Sequence, residues 1–363
     1  MKAITLIPGT THVQLVDCEE PQIAHPDEVK LKVLEVGICG TDREEVSGGR
    51  ADAPAGKKEL IIGHEMLGEV VGVGPKVNRF AVGDLAVVTV RRGCAKCGAC
   101  LADRSDLCYT GEYTERGIKG RDGFQAQWVV DREPFLVKVA SSLRSCGVLS
   151  EPTSVVEKAI AETLALQKSR LPDWNDLSKK QAFVVGLGPI GLLACIILRL
   201  RGCKVYGLDA THRESRAQIL AEIGGTYLTN ETVPFPEIPT QFGFADFLLE
   251  AVGNAELDFQ LFSLLACNGA YVLTGVAHPA QMVSIAGGQI TENLVLKNQL
   301  LLGSVNAAKK HWELAAQDLE KAHQKWPTLF SKLLTSHIPY PRFKEALSLR
   351  SEQEIKCVLT WDL

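Results

Sequence analysis

Apolar and polar residues alternate from Glu28 to Ile38, with Val29, Leu31, Val33 and Val36 apolar; a period of two predicts a strand. Leu67 to Val73 and Leu85 to Val90 are further runs rich in β-formers. Gly48-Gly49, Pro54, Gly74-Pro75 and Gly83-Asp84 punctuate them as turns. A mostly β domain with long loops is expected over the first 150 residues.

After Glu151 the pattern changes. Val155 to Leu166 reads as a helix, and Lys168 to Lys180, polar and holding Pro172, as a surface connection. Strand and helix periods then alternate. Ala182 to Val185, Lys204 to Leu208, Asp246 to Ala251 and Ala270 to Thr274 read as strands. Pro189 to Arg201, Glu214 to Ile223 and Glu256 to Ala266 read as helices. That alternation predicts a doubly wound parallel sheet. Lys309 to Lys325 and Phe343 to Leu349 are expected to be helical and Ile355 to Leu359 a strand, a tail that returns to the first domain. The expected division is 1–155 with 305–363 for the β domain and 156–304 for the parallel-sheet domain.

A length of 363 residues suits about two domains. The net charge of -4, with no run of five like charges, argues against a nucleic-acid or membrane partner. The first residues hold one Lys and no apolar stretch of a secretory leader. The most apolar run, Ile190 to Leu200, is too short to span a bilayer and is broken by Arg199, so it reads as a buried helix. A cytoplasmic protein is expected. Eleven cysteines, an odd number with four in one tight cluster, favour metal binding over disulfides.

Gly186-Leu187-Gly188-Pro189-Ile190-Gly191 follows one of the strands and opens a helix, the context in which a GxGxxG sequence cradles a dinucleotide pyrophosphate. The helix N-terminus supplies free N–H groups and partial positive charge. Asp209, at the end of the next strand, is suited to accept from ribose hydroxyls and to repel a 2′-phosphate, which favours NAD. His212 and Arg213 pull the other way, since an Arg there can hold the phosphate of NADP.

Cys94, Cys97, Cys100 and Cys108 can surround one zinc ion and leave no open position, a structural site. An iron–sulfur cluster also takes four cysteines, but the Cys-Pro ending of bacterial ferredoxin runs is missing. A second set is dispersed. Cys39 lies in Gly-Ile-Cys-Gly-Thr-Asp, His64 and Glu65 in Gly-His-Glu-Met-Leu-Gly, and Glu151 in Ser-Glu-Pro. A thiolate, an imidazole and a carboxylate make a zinc site with a fourth position open to water or substrate.

With Gly63-His64-Glu65, Gly68, Gly74 and Val77, then Cys39-Gly40-Thr41-Asp42, the four-cysteine lobe and Gly186 to Gly191 in this order, the chain resembles the zinc-containing medium-chain alcohol dehydrogenases over nearly its full length. Within them it looks most like the microbial glucose dehydrogenases, through Glu151 to Ala159, Glu115 to Ile118 with Asp122-Gly123-Phe124, and Leu302 to Ala307. The resemblance implies a GroES-like catalytic domain beside a Rossmann domain, two zinc ions per chain, NAD or NADP, a sugar or polyol substrate and a homodimer or homotetramer. It also implies catalytic zinc held by Cys39, His64 and Glu151, with Glu65 an alternating ligand. Thr41 would relay the substrate proton, and Asp42 would orient His64. Glu115, Glu157 and Asn306 become candidate sugar contacts, with Asn306 also near the nicotinamide. One departure stands out: such sugar dehydrogenases often carry paired Arg after the second cofactor strand, where this chain has Asp209-Ala210-Thr211-His212-Arg213. Polyol, threonine and simple alcohol dehydrogenases share the zinc motifs. A non-catalytic relative would be expected to have lost ligands that are all present here.

Overall fold

Glu28–Ile38 pairs with three strands at once, antiparallel to Glu65–Val73, Trp128–Arg132 and Lys356–Thr360. Val29, Leu31 and Val33 are fully buried, as a period of two requires of a strand with one face on a core, and Val36 is buried beyond a register shift between Val33 and Glu35. This is the computed structural model of the chain, and it describes residues 1–348 and 351–362. Leu349, the expected end of the helix from Phe343, lies outside the described residues; the helix Phe343–Leu347 precedes it.

The chain divides into two units: Met1–Ser154 with Asn306–Glu320 and Leu333–Leu363, and Val155–Val305 with Lys321–Lys332. In the first, the main sheet runs in the order Leu136–Val139, Leu85–Val88, Glu65–Val73, Glu28–Ile38, Lys356–Thr360, Leu334–Pro339. The strand Leu334–Pro339 is missed by pattern because His337 and Pro339 dilute its apolar signal. A small sheet of Arg91–Arg92, Thr114–Arg116 and Gly120–Arg121 forms the base from which the cysteine segment projects. Asp131 fastens that base to Trp128–Arg132: its Oδ2 accepts from Arg92 at 2.6 Å and from Arg116 at 2.7 Å, all three side chains being buried.

The second unit is a six-stranded parallel sheet in the order Thr226–Thr229, Lys204–Asp209, Gln181–Val185, Ala245–Glu250, Leu265–Leu273, Leu300–Gly303. Strands of this kind are buried on both faces, so they read as short apolar runs. Phe183, Tyr206, Leu248 and Tyr271 fill the core, with Phe183 and Tyr206 edge to face at 4.9 Å. Pro189–Leu200 is buried along most of its length.

Some expectations need correction. The helix expected over Glu256 to Ala266 ends at Gln260; a 3-10 turn covers Leu261–Leu264, and the strand starts at Leu265. Leu261, Leu264 and Leu265 suit either a helix face or a buried strand, and pattern alone misassigns them. The strand Leu265–Leu273 begins ahead of the expected start at Ala270, and its register on Ala245–Glu250 slips between Ala245 and Phe247. The polar segment after Lys168 buries Trp174 and Leu177. The tail also differs from the expected division, since Lys321–Lys332 packs with the second unit, burying Ala322, Leu329 and Phe330 and pairing Lys332 with Glu222 at 2.6 Å.

Candidate active site

Strand register brings the dispersed set together. Cys39 follows Glu28–Ile38 and caps the helix Gly40–Val46, while Glu65 opens the neighbouring strand opposite Gly37. The ligand atoms of Cys39, His64 and Glu65 lie within 4.8 Å of one another. Asp42 organises two of them. One carboxylate oxygen accepts from the Cys39 backbone N–H at 2.7 Å, and the other lies 3.4 Å from His64 Nδ1. That leaves Nε2 of His64 as the nitrogen available to a metal.

Glu151, at the start of the helix Ser150–Lys168, stands outside this tight trio but feels its field. Burial pushes its carboxyl up to about 7; His64 pulls it down and Glu65 pushes it further up. Lys356 is a residue beside the cluster that pattern reading misses. It is buried, pairs with Glu65 and donates to Ile38 O at 3.0 Å. A methyl group on Gly37 would meet Glu65 Oε2 at 2.2 Å, so only glycine leaves room for this pair. Burial opposes charge on Asp42, Glu151 and His64 alike, yet Asp42 draws His64 toward its cationic form. A cluster of buried acids with Lys356 as counter-ion carries negative charge that a divalent cation would neutralise. The donor set of thiolate, imidazole and carboxylate suits zinc.

The cysteine lobe fits the same metal. The four sulfurs of Cys94, Cys97, Cys100 and Cys108 lie within 4.8 Å of one another, with Cys94 and Cys100 at 3.9 Å. Tetrahedral thiolates about 2.3 Å from zinc stand just under about 4 Å apart. The Thr110 hydroxyl and neighbouring N–H groups hold the Cys94 thiol down at about 6, which favours its thiolate.

In the second unit the Gly-rich loop has the geometry of a phosphate cradle. Gly186 takes φ +86°, and a methyl group on Gly191 would lie 2.0 Å from Gly186 O, so helix and strand approach closely only with glycine there. Pro189 opens the helix, and Leu187 N–H donates to Asp209 at 3.1 Å. Ile190 lies in the first turn. Glu250 is a further residue that sequence reasoning passes over. Buried at the end of Ala245–Glu250, it accepts from the N–H groups of Val252, Gly253 and Gly275 and so holds the two turns beyond the sheet. An acid ending an otherwise apolar strand was the available signal.

The expected sugar contacts separate. Glu115 and Asn306 meet, with Asn306 Nδ2 donating to Glu115 Oε1 at 2.8 Å and Arg91 pairing with the same carboxylate at 2.9 Å. Thr41 is half-buried in the first turn after Cys39. Glu157 is not brought to that cluster: it is fully buried and paired with Arg201 inside the second unit. Arg213 starts the helix Glu214–Glu222 and donates its backbone N–H to Tyr227 at 2.9 Å.

Residues 25–141 match the model of the alcohol dehydrogenase GroES-like domain, and residues 144–361 that of the glucose dehydrogenase C-terminus. The chain belongs to the glucose dehydrogenase family of the zinc-containing medium-chain alcohol dehydrogenases. It is 36% identical over 350 residues to a glucose 1-dehydrogenase of Methanocella arvoryzae, covering 96% of each chain. To one of Thermoproteus tenax it is 37% identical over 361 residues, covering 99% of each. The Haloferax mediterranei glucose dehydrogenase, solved in complex with NADP, Zn and gluconolactone, superposes with a TM-score of 0.88 at 30% identity over the full length of both chains. The expected pairing of a GroES-like domain with a parallel-sheet nucleotide domain is what the chain has.

Proposed function

We propose that this protein is a zinc-dependent glucose 1-dehydrogenase that passes hydride from the sugar's C1 carbinol to NAD or NADP. The observation that carries the reading is the Cys39–His64–Glu65 trio, with His64 and Glu65 buried and with Asp42 bonded to the Cys39 backbone and beside His64. When bound, zinc supplies Lewis acidity to the substrate oxygen and the nicotinamide supplies the hydride acceptor.

The chain's own residues do the rest. Cys39 and His64 would hold the metal, with Glu151 as the third ligand and Glu65 as the carboxylate that could alternate with it. Lys356 competes for Glu65. Thr41 offers a hydroxyl to carry the substrate proton away. Glu115 and Asn306 face sugar hydroxyls, since carboxylates and amides each make several hydrogen bonds to a polyol. Glu157, paired with Arg201, serves the packing of its helix. Gly186 to Gly191 cradle the pyrophosphate. Cys94, Cys97, Cys100 and Cys108 would hold the structural zinc.

A homodimer or homotetramer is supported by Leu300–Gly303 at the sheet edge, beside exposed Val295, Leu296, Leu301 and Val305. Cytoplasmic residence is supported by eleven cysteines none of which is paired in a disulfide. Among the described residues no helix is long and apolar enough to cross a membrane.

The test is a rate panel of glucose, galactose, xylose, sorbitol, threonine and ethanol with each dinucleotide. Glucose should give the highest kcat/KM. Preference for sorbitol, threonine or ethanol would move the protein to another branch of the same chemistry.

A further inference from the structure

Asp209 is not the free carboxylate that a ribose acceptor would be. It closes Lys204–Asp209 and is 7% exposed. Its Oδ1 accepts from Leu187 N–H at 3.1 Å. Its Oδ2 pairs with the Arg216 guanidinium at 2.9 Å. Tyr227, on the adjacent strand, brings its hydroxyl to 3.4 Å from Oδ2 and 3.2 Å from Thr211 O, and accepts from Arg213 N–H. His212, Glu214 and Glu231 pair among themselves. His212 Nε2 contacts Glu214 at 3.2 Å with both side chains exposed, and Glu231 accepts from the His212 N–H at 3.2 Å.

Two things follow from that arrangement. The oxygen facing Leu187 fixes the Gly-rich loop, so Asp209 acts on any dinucleotide and not on ribose selectivity alone. The guanidinium beside the other oxygen cancels much of the charge by which a carboxylate excludes a 2′-phosphate. Arg216 sits in the first turn of Glu214–Glu222, mostly buried, where its reach toward Asp209 is set by the helix rather than by a mobile loop.

We propose that Arg216 is a specificity-determining residue that sets the balance between NAD and NADP by neutralising Asp209, which doubles as the positioning residue of the Gly186–Gly191 loop. This rests on the dinucleotide reading above. Specificity is a difference of two affinities, so it is read from the ratio of dissociation constants.

The test is calorimetric titration of the zinc-loaded holoenzyme with NAD and with NADP, without sugar. Arg216→Gln should weaken NADP by about tenfold and leave NAD within about threefold, the scale of one charge-assisted contact. Arg216→Lys, which keeps the charge, should hold the wild-type ratio and controls for folding. Asp209→Asn, still able to accept from Leu187, should tighten NADP relative to NAD. Asp209→Ala should weaken both. An unchanged ratio in Arg216→Gln, or equal weakening of both nucleotides, would overturn the role of Arg216. Wild-type protein that binds neither nucleotide would instead overturn the dinucleotide reading.

Discussion

Lys356 and Glu65 place an ion pair where neither side chain reaches bulk water. Desolvation makes such a pair costly to form and more costly to break. A Glu65 held by Lys356 would leave a metal position open to substrate. Lys356→Met should release Glu65 toward the metal. In cobalt-substituted protein the visible absorption bands should shift, and kcat should fall by about tenfold or more, while nucleotide affinity stays put. Unchanged bands would mean that Glu65 does not answer to Lys356. This pair also marks the limit of sequence reading at the residue scale. Cys39, His64 and Glu65 stand in local motifs whose neighbours announce them. Lys356 comes from the far end of the chain as one cation in an apolar strand, and only the register of Lys356–Thr360 on Glu28–Ile38 puts it there.

At the scale of elements, the cysteine lobe and the Asp131 anchor are two devices for one problem: a long excursion with little apolar core of its own. Cys97→Ala should remove one of four ligands and with it most of the metal's contribution to holding the segment. Thermal stability and zinc content should drop together, before intrinsic turnover does. Full metal content at unchanged Tm would contradict this. The anchor has a pH signature. Burial alone would raise the Asp131 carboxyl, but Arg116 and Arg92 outweigh it and hold it at about 2. A folded value below the unfolded value of about 3.9 means stability that is present above about pH 4 and lost as pH falls toward about 2, worth about 2 kcal/mol. Asp131→Asn should lose that amount near neutrality and flatten the acid limb of a stability–pH curve. A variant with the wild-type acid limb would show that the anchor does not titrate as described. Short strands such as Thr226–Thr229 and Leu300–Gly303 escaped the pattern because four residues are too few for a period to show; their neighbours define them.

Across the whole molecule, the alternation of strands and helices from Ala182 to Thr274 made the parallel sheet legible, and a strand, a glycine loop and a helix in succession made its nucleotide site legible. The return of the tail to Glu28–Ile38 was readable only as a change of pattern, because a strand carries no mark of which sheet it will join. The central claim is that one buried cluster does the chemistry while a separate glycine loop holds the nucleotide. His64→Ala separates the two. Glucose oxidation should be followed through the absorbance of reduced nicotinamide, with nucleotide affinity measured on the same preparation. Turnover should fall by several orders of magnitude with NAD and NADP still bound at wild-type affinity. Glucose oxidation at the wild-type rate in His64→Ala would contradict it.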